Sequence, residues 1–311
     1  MNKVRVGVLR GGPNKNYENS LREGQDMLAC VDTCASASYI PVDVFIDRDG
    51  VWHTQGIPVL PMDLFHKVDL IWDTTMPACS QVLEGHIPLL KNPHFASTIV
   101  NDKSLLRKHM ETIGVEMSRH VVLPVYQEDF DGPIEDYAAK KAVEVHAKFG
   151  APWIVKSFTH NPDEGIHVAK TFPELMRAIE DLLSHKESIL VEELILGKRG
   201  GVHTIAGFRG DDLYHMLPYE TRINEIQPVG NFSDVENQKI YDLSENIFKH
   251  LGAENYLHFN FVIDKRGGIH VTEASLLPDF KEEEVLSHSA RTVGSHRQEV
   301  FEHMLKNAMS R

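Results

Sequence analysis

Strand-like and helix-like runs alternate from the first residues of this chain, and no other feature constrains the fold as strongly. VRVGVL (4–9) is a compact apolar run, GGPNKN follows as a loop, and Leu21, Met27 and Leu28 then recur at helical spacing between Glu18 and Cys30. VDVFID (42–47) and VDLIWD (68–73) are further strands, each closing on an aspartate. Such an opening predicts an α/β unit with a mostly parallel sheet. KNPHFAS (91–97) reads as a connector, and a domain boundary is expected near residue 97.

Beyond it the pattern changes. NDKSLLRKHMETIG (101–114) reads as a capped helix, RHVVLP as a strand, 134–149 as a helix closed by Gly150, and PWIVKSF and GIHVAK as strands. TFPEL opens a helix with a capping box from Thr171 to Glu174, and Ser233 to Glu236 opens another that reaches Leu251. ILVEELI is a strand, VHTIAGF and LYHML flank RGDD as a hairpin, and 295–309 forms the last helix. HFNFVIDKRGGIHVTEAS (258–275) reads as two strands around a tight turn, whose alternation places Asn260, Glu273 and Ser275 on one side. One acid between two neutral oxygen-bearing side chains suits a metal site or the remains of one.

Composition narrows the function classes. The 311 residues carry 45 acids against 32 bases, a net charge of −13, which argues against a nucleic-acid partner. A local basic pocket for one small polyphosphate remains compatible with that exterior. Apolar runs are broken by charge too often for a membrane span, and MNKVRVGVLRGG shows no signal-peptide pattern. Cys30, Cys34 and Cys79 form no disulfide framework, so a reducing cytoplasm is expected, and the 18 histidines show no paired-ligand spacing. The Gly-Gly turn after VGVL lacks G-x-G-x-x-G, which disfavours a dinucleotide fold.

Two lysines stand where phosphate is bound well: Lys103 in the first turn of a helix, and Lys156 at a strand end before SFTHNPDEG. The acidic strand that follows, with Glu192 and a free backbone edge, can read an adenine amine and ring nitrogen. In this order Lys103 in NDK, Lys156 in VKS, Gly165, VEELILG and the F-N-F hairpin ending in TEAS resemble the ATP-grasp fold. The similarity is greatest to the D-alanine–D-alanine ligase branch. VGVLRGGPNKNYENSL looks like that family's Gly-Gly loop and E-V-S element, and TEASLLPDFK with SARTVG like its closing E-A-N-T and A-A-R-x-x-G stretches.

The resemblance implies an N-terminal parallel-sheet pre-ATP-grasp domain (1–97) and a two-lobed α+β ATP-grasp domain (98–190 central lobe, 191–311 C-terminal lobe). It further implies Lys103 and Lys156 on ATP phosphates, and Glu192 with the backbone of Leu194 and Ile195 on the adenine. Glu18 would orient the first substrate's ammonium, Arg222 would supply a phosphate-facing cation, and Asn260, Glu273 and Ser275 would hold Mg²⁺. The implied reaction phosphorylates a carboxylate with ATP and lets an amine attack the acyl phosphate. Small amino acids or amines would be the substrates, and the chain would form a homodimer.

Several positions depart from the family pattern. Asn260 and Ser275 replace an aspartate and an asparagine at the metal, and His258 replaces an arginine that stabilises the tetrahedral intermediate. Arg199 stands at the ribose glutamate, with Glu193 as a substitute, and THNPDEG replaces a Gly/Ser-rich flap. Glu284, in KEEE, replaces the serine that receives the second substrate's carboxylate, which points to an acceptor other than free D-alanine. WDTTMPACS, around Asp73, stands near an absent H-G-x-x-G-E-D-G segment. The sequence therefore supports an altered carboxylate–amine ligase. The alternative is a relative that binds nucleotide or a partner without ligation.

Overall fold

The structure is a computed structural model, described over residues 3–13, 17–34, 38–75, 79–157, 166–184, 186–222, 225–227, 230–280 and 284–310; for Cys34, Arg222 and 225–227 the description is of the backbone alone. The chain packs as two compact units. One holds Met1–Val115, Arg199–Phe261 and Glu273–Arg311; the other holds Glu116–Lys198 and Val262–Thr272.

The first unit begins with the strands β1 (Val4–Gly11), β2 (Tyr39–Ile46), β3 (Trp52–Thr54), β4 (Ile57–Val59), β5 (Leu70–Asp73) and β6 (Leu89–Leu90), ordered β4-β3-β2-β1-β5-β6. β1 runs parallel to β2 and β5, and β5 parallel to β6, as the alternation predicts. β3 and β4, too short to leave a sequence signal, add an antiparallel edge. Helix α1 (Tyr17–Cys34) follows a turn in which Gly11 has φ +91°, and a Cβ there would lie 2.2 Å from the Ile46 carbonyl oxygen. Residues 94–97, expected as a connector, instead begin helix α2 (His94–Asn101), whose buried Ala96 and Ile99 supply the apolar face. Helix α3 (Lys103–Thr112) follows at once.

The second unit contains β7 (Glu116–Met117), β8 (His120–Leu123), the short α4 (Glu128–Asp131), α5 (Ile134–Lys148), β9 (Trp153–Ser157), β10 (Ile166–Ala169), α6 (Phe172–Leu183) and β11 (Ile189–Glu193). Its sheet is antiparallel in the order β10-β9-β11-β8. Residues of α5 and α6 share its core, with Tyr137, Val145, Leu175 and Ile179 buried together with Trp153 and Val155. Thr171 caps α6 as expected, while the Glu174 carboxylate accepts from Lys170 N at 2.7 Å.

The remaining strands are β12 (Gly197–Ala206), β13 (Leu213–His215), β14 (Tyr219–Arg222), β15 (Glu225–Gln227), β16 (Tyr256–Asp264) and β17 (Ile269–Ser275). Within the first unit β15, β14, β12 and β16 are successive neighbours, with β13 on β12. Helix α7 (Asp234–Leu251) carries the full Ser233–Glu236 capping box and ends at Gly252, φ +64°. The β16–β17 turn lies in the second unit. There Asp264 accepts from Arg266 N, Gly268 N and His270 Nε2 at 2.7, 2.9 and 3.0 Å, which pulls its carboxyl down to about 2. The last helices, α8 (Val285–Thr292) and α9 (Arg297–Met309), share one core with the first sheet: Trp72 stacks on Phe301 at 5.4 Å and meets Phe280 edge-on.

Candidate active site

In the first unit β14, β16 and β17 bring four polar side chains into one line, with Tyr219 buried and His258, Asn260 and Glu273 half-buried. Gly201 lies opposite Tyr219 across β12 and β14, and a Cβ there would fall 2.2 Å from Tyr219 Oη and 2.7 Å from Asn260 Oδ1. The bare backbone lets the tyrosine lie over the strand. Tyr219 Oη contacts His258 Nε2 at 2.7 Å and donates to Asn260 Oδ1 at 2.8 Å. A hydroxyl has one proton to give, so it accepts from His258 Nε2–H. The Asn260 amide then donates from Nδ2 to Glu273 Oε2 at 3.4 Å. Every donor in this chain points from imidazole to carboxylate.

Burial fixes the charge states along it. Desolvation lowers His258 to about 4, against the opposing pull of Glu273, so the ring is neutral at pH 7. Tyr219 is pushed up by burial and by the negative charges of Glu273 and Glu284, so its hydroxyl keeps its proton. His203 stacks on His258 at 4.6 Å, contacts Tyr256 Oη through Nδ1 at 2.7 Å, and is held well below the ordinary imidazole range by burial. Its Nε2 is buried with no hydrogen-bond partner among the described residues. Neither Tyr219 nor His203 was a sequence candidate. The signal was Gly200–Gly201 inside an apolar strand, which marks a close approach of another group.

Two of the three expected metal residues, Asn260 and Glu273, lie in this same line and are brought together. Asn260 offers its oxygen to Tyr219 and its nitrogen to Glu273. Ser275 Oγ is turned into its own chain, donating to Leu277 O at 3.0 Å and accepting from Leu277 N at 3.2 Å. Among the described residues no group of three or more His, Cys, Asp or Glu side chains is placed to hold a metal ion. This donor set does not fit a protein-built two-ion centre, but Glu273 fits as the one carboxylate for an ion carried in on a nucleotide.

Elsewhere in the first unit, Lys103 is the first residue of α3, whose N-terminal amides are already capped: Asp102 Oδ1 accepts from Ser104 N and Leu105 N. Glu18 opens α1, is 63% exposed and pairs with Arg48 at 2.7 Å. Buried Asp73 ends β5 and accepts from Thr75 N, Thr75 Oγ1 and Ser80 N, and burial raises its carboxyl. Glu284 is the residue before α8.

In the second unit, Lys156 Nζ on β9 and Glu192 Oε2 on β11 form an ion pair at 3.0 Å, with side chains only 10% and 7% exposed. Their partners in register are Leu190 and Ile154, so the pair crosses the sheet diagonally. Glu193 is engaged by Arg119 through two bonds at 2.8 and 2.7 Å, which lowers its carboxyl. Leu194 N donates to Pro152 O at 2.9 Å, so that amide serves the fold. The Arg222 side chain and the segment 158–165 with Gly165 lie outside the described residues, as do Lys281–Glu283.

Comparison with known proteins gives this geometry a family. The model of the D-ala D-ala ligase C-terminus matches residues 132–306, more than half of the chain. The chain belongs to the D-alanine–D-alanine ligase family. Its relatives include a D-alanine–D-alanine ligase of Pseudomonas entomophila, 24% identical over 98% of this chain and 93% of that one. In fold it is similar to D-alanyl-alanine synthetase A of Vibrio cholerae, with a TM-score of 0.69 at 14% identity over 100% of both chains. It is also similar to the Bacillus anthracis D-alanine–D-alanine ligase complexed with ATP, with a TM-score of 0.67 at 19% identity over 99% and 97% of the two. The fold is thus the mixed α/β ATP-grasp architecture that the order of motifs implied. At His258, the position expected to depart from that family's pattern, the structure holds a neutral imidazole that donates a hydrogen bond to Tyr219.

Proposed function

We propose that this chain is an ATP-dependent carboxylate–amine ligase that works through an acyl phosphate. The observation that carries the reading is the buried Lys156–Glu192 pair within the matched region. Burying a lysine and an acid together carries a desolvation cost that their mutual attraction offsets only in part, which suits a pair kept to meet a charged ligand. Lys156 holds a phosphate and Glu192 the adenine amine, with the backbone around Leu194 and Ile195 beside it. Lys103 and Arg222 add cations for the phosphates, and Glu18 orients the ammonium of the carboxylate substrate.

In the first step a carboxylate oxygen attacks the γ-phosphorus and ADP leaves. In the second an amine nitrogen attacks the acyl carbon, the C–N bond forms, the C–O bond to phosphate breaks, and the nitrogen loses a proton. Glu273, with Asn260 and Ser275 beside it, would hold a Mg²⁺ that enters with the nucleotide, and such an ion would supply countercharge for the transferred phosphoryl group. His258 acts as a neutral donor to Tyr219, its ring held below the ordinary imidazole range by burial.

The substrates are a small amino acid and an amine, and Glu284 disfavours an acceptor with a carboxylate at its position. The same reading carries a place in peptidoglycan-precursor synthesis with the amine acceptor left open, a homodimer, a cytoplasmic setting and the lobes 98–190 and 191–311. Among the described residues no helix is long and apolar enough to cross a membrane. Incubation with Mg-ATP and pooled amino acids and amines tests the proposal: phosphate release should rise at least several-fold over the no-pool rate. Absence of stimulation by every pool would overturn it.

A further inference from the structure

We infer that Tyr219 is a positioning residue that commits this site to a single divalent ion. The inference rests on the ligase reading above and concerns how many ions enter with the nucleotide.

The geometry turns on the Asn260 amide. An amide beside a carboxylate has two orientations. With its oxygen toward the carboxylate it repels Glu273 and creates a place for a second cation between the two oxygens. With its nitrogen toward the carboxylate it donates a hydrogen bond and fills that place. Tyr219 selects the second: its hydroxyl donates to Asn260 Oδ1 at 2.8 Å, which leaves Nδ2 to face Glu273 Oε2 at 3.4 Å. A hydroxyl donor beside Nδ2 would instead leave two donors opposed.

Tyr219 is itself fixed from both sides. His258 Nε2–H donates to it at 2.7 Å, which requires the tyrosine proton to point at Asn260. The absent Cβ of Gly201 leaves room for that placement, since any side chain there would meet Tyr219 Oη at 2.2 Å. Ser275 offers no way round, because its hydroxyl is closed onto Leu277 N and O. The N–H of Asn260 thus takes the position of an ion. The His258 ring orders the hydroxyl, and the hydroxyl orders the amide.

Native mass spectrometry of the full chain with a non-hydrolysable ATP analogue and Mn²⁺ reads nucleotide and metal per chain directly. The wild type should carry one analogue and one Mn²⁺. Asn260→Asp, which restores a second carboxylate, should carry two. Tyr219→Phe keeps the ring but releases the amide, and a second Mn²⁺ should appear at higher Mn²⁺ concentration. A merely structural tyrosine would leave the stoichiometry of Tyr219→Phe at one, which would overturn the positioning role. Two Mn²⁺ per analogue-bound wild-type chain would overturn the inference alone, whereas no analogue binding would overturn the ligase reading and the inference together.

Discussion

At His258, burial decides the charge, and the sign of its pH effect follows. Its folded-state value of about 4 lies below the ordinary imidazole value of 6.5, so the unfolded chain takes up a proton first as pH falls. Stability from this group is complete above pH 6.5 and is lost progressively down to pH 4, by about 3 kcal/mol for a shift of that size. His203, lowered for the same reason, acts in the same direction. The melting temperature of the wild type should therefore drop between pH 7 and pH 4, and His258→Gln should flatten part of that drop. An unchanged slope in the variant would refute the assignment. Gly201→Ala should cost about 1–3 kcal/mol, read by urea denaturation, because the new methyl must displace Tyr219 or Asn260. Strand alternation alone placed Asn260 beside Glu273 in the sequence. Tyr219 was not legible, because its partners His258 and Asn260 lie on β16, far along the chain, and only the glycine pair hinted at the contact.

Among the elements, β9 and β11 are joined by an ion pair that a single substitution cannot remove cleanly. Lys156→Met leaves Glu192 charged and buried, and should destabilise the chain by about 3 kcal/mol. The double variant Lys156→Met/Glu192→Leu should recover much of that loss by denaturation while nucleotide binding stays absent. Recovery of stability together with nucleotide binding would separate this pair from the ligand. Helix α3 presents a smaller case: Asp102→Ala removes the acceptor for Ser104 N and Leu105 N and should cost about 1 kcal/mol. The sequence showed this helix and its start because capping is local chemistry. It did not show that the cap would fill the anion site credited to Lys103, since a carboxylate and a bound phosphate compete for the same amides. Residues 94–97 hid their helix for a related reason: Pro93 and His94 read as punctuation, and the buried face of Ala96 and Ile99 is too short to register as a period.

For the whole molecule, the first sheet and the end of the chain share one core. Phe301 lies stacked on Trp72 with no exposure, so Phe301→Ala should cost about 3–5 kcal/mol, with loss of the cooperative unfolding transition of the first unit as the readout. Periodicity reveals which face of α9 is apolar and says nothing about what covers it, which is why this long-range closure was hidden in the sequence. The order of motifs was legible, because Lys156, VEELILG and the closing hairpin follow one another along the stretch that matches the family. The central claim is that bond formation proceeds through an acyl phosphate, and oxygen transfer tests it most directly. With a donor pool carrying ¹⁸O in its carboxylates, each phosphate released should contain one ¹⁸O by mass spectrometry. Phosphate that instead takes its new oxygen from water would mean simple ATP hydrolysis and would contradict the account.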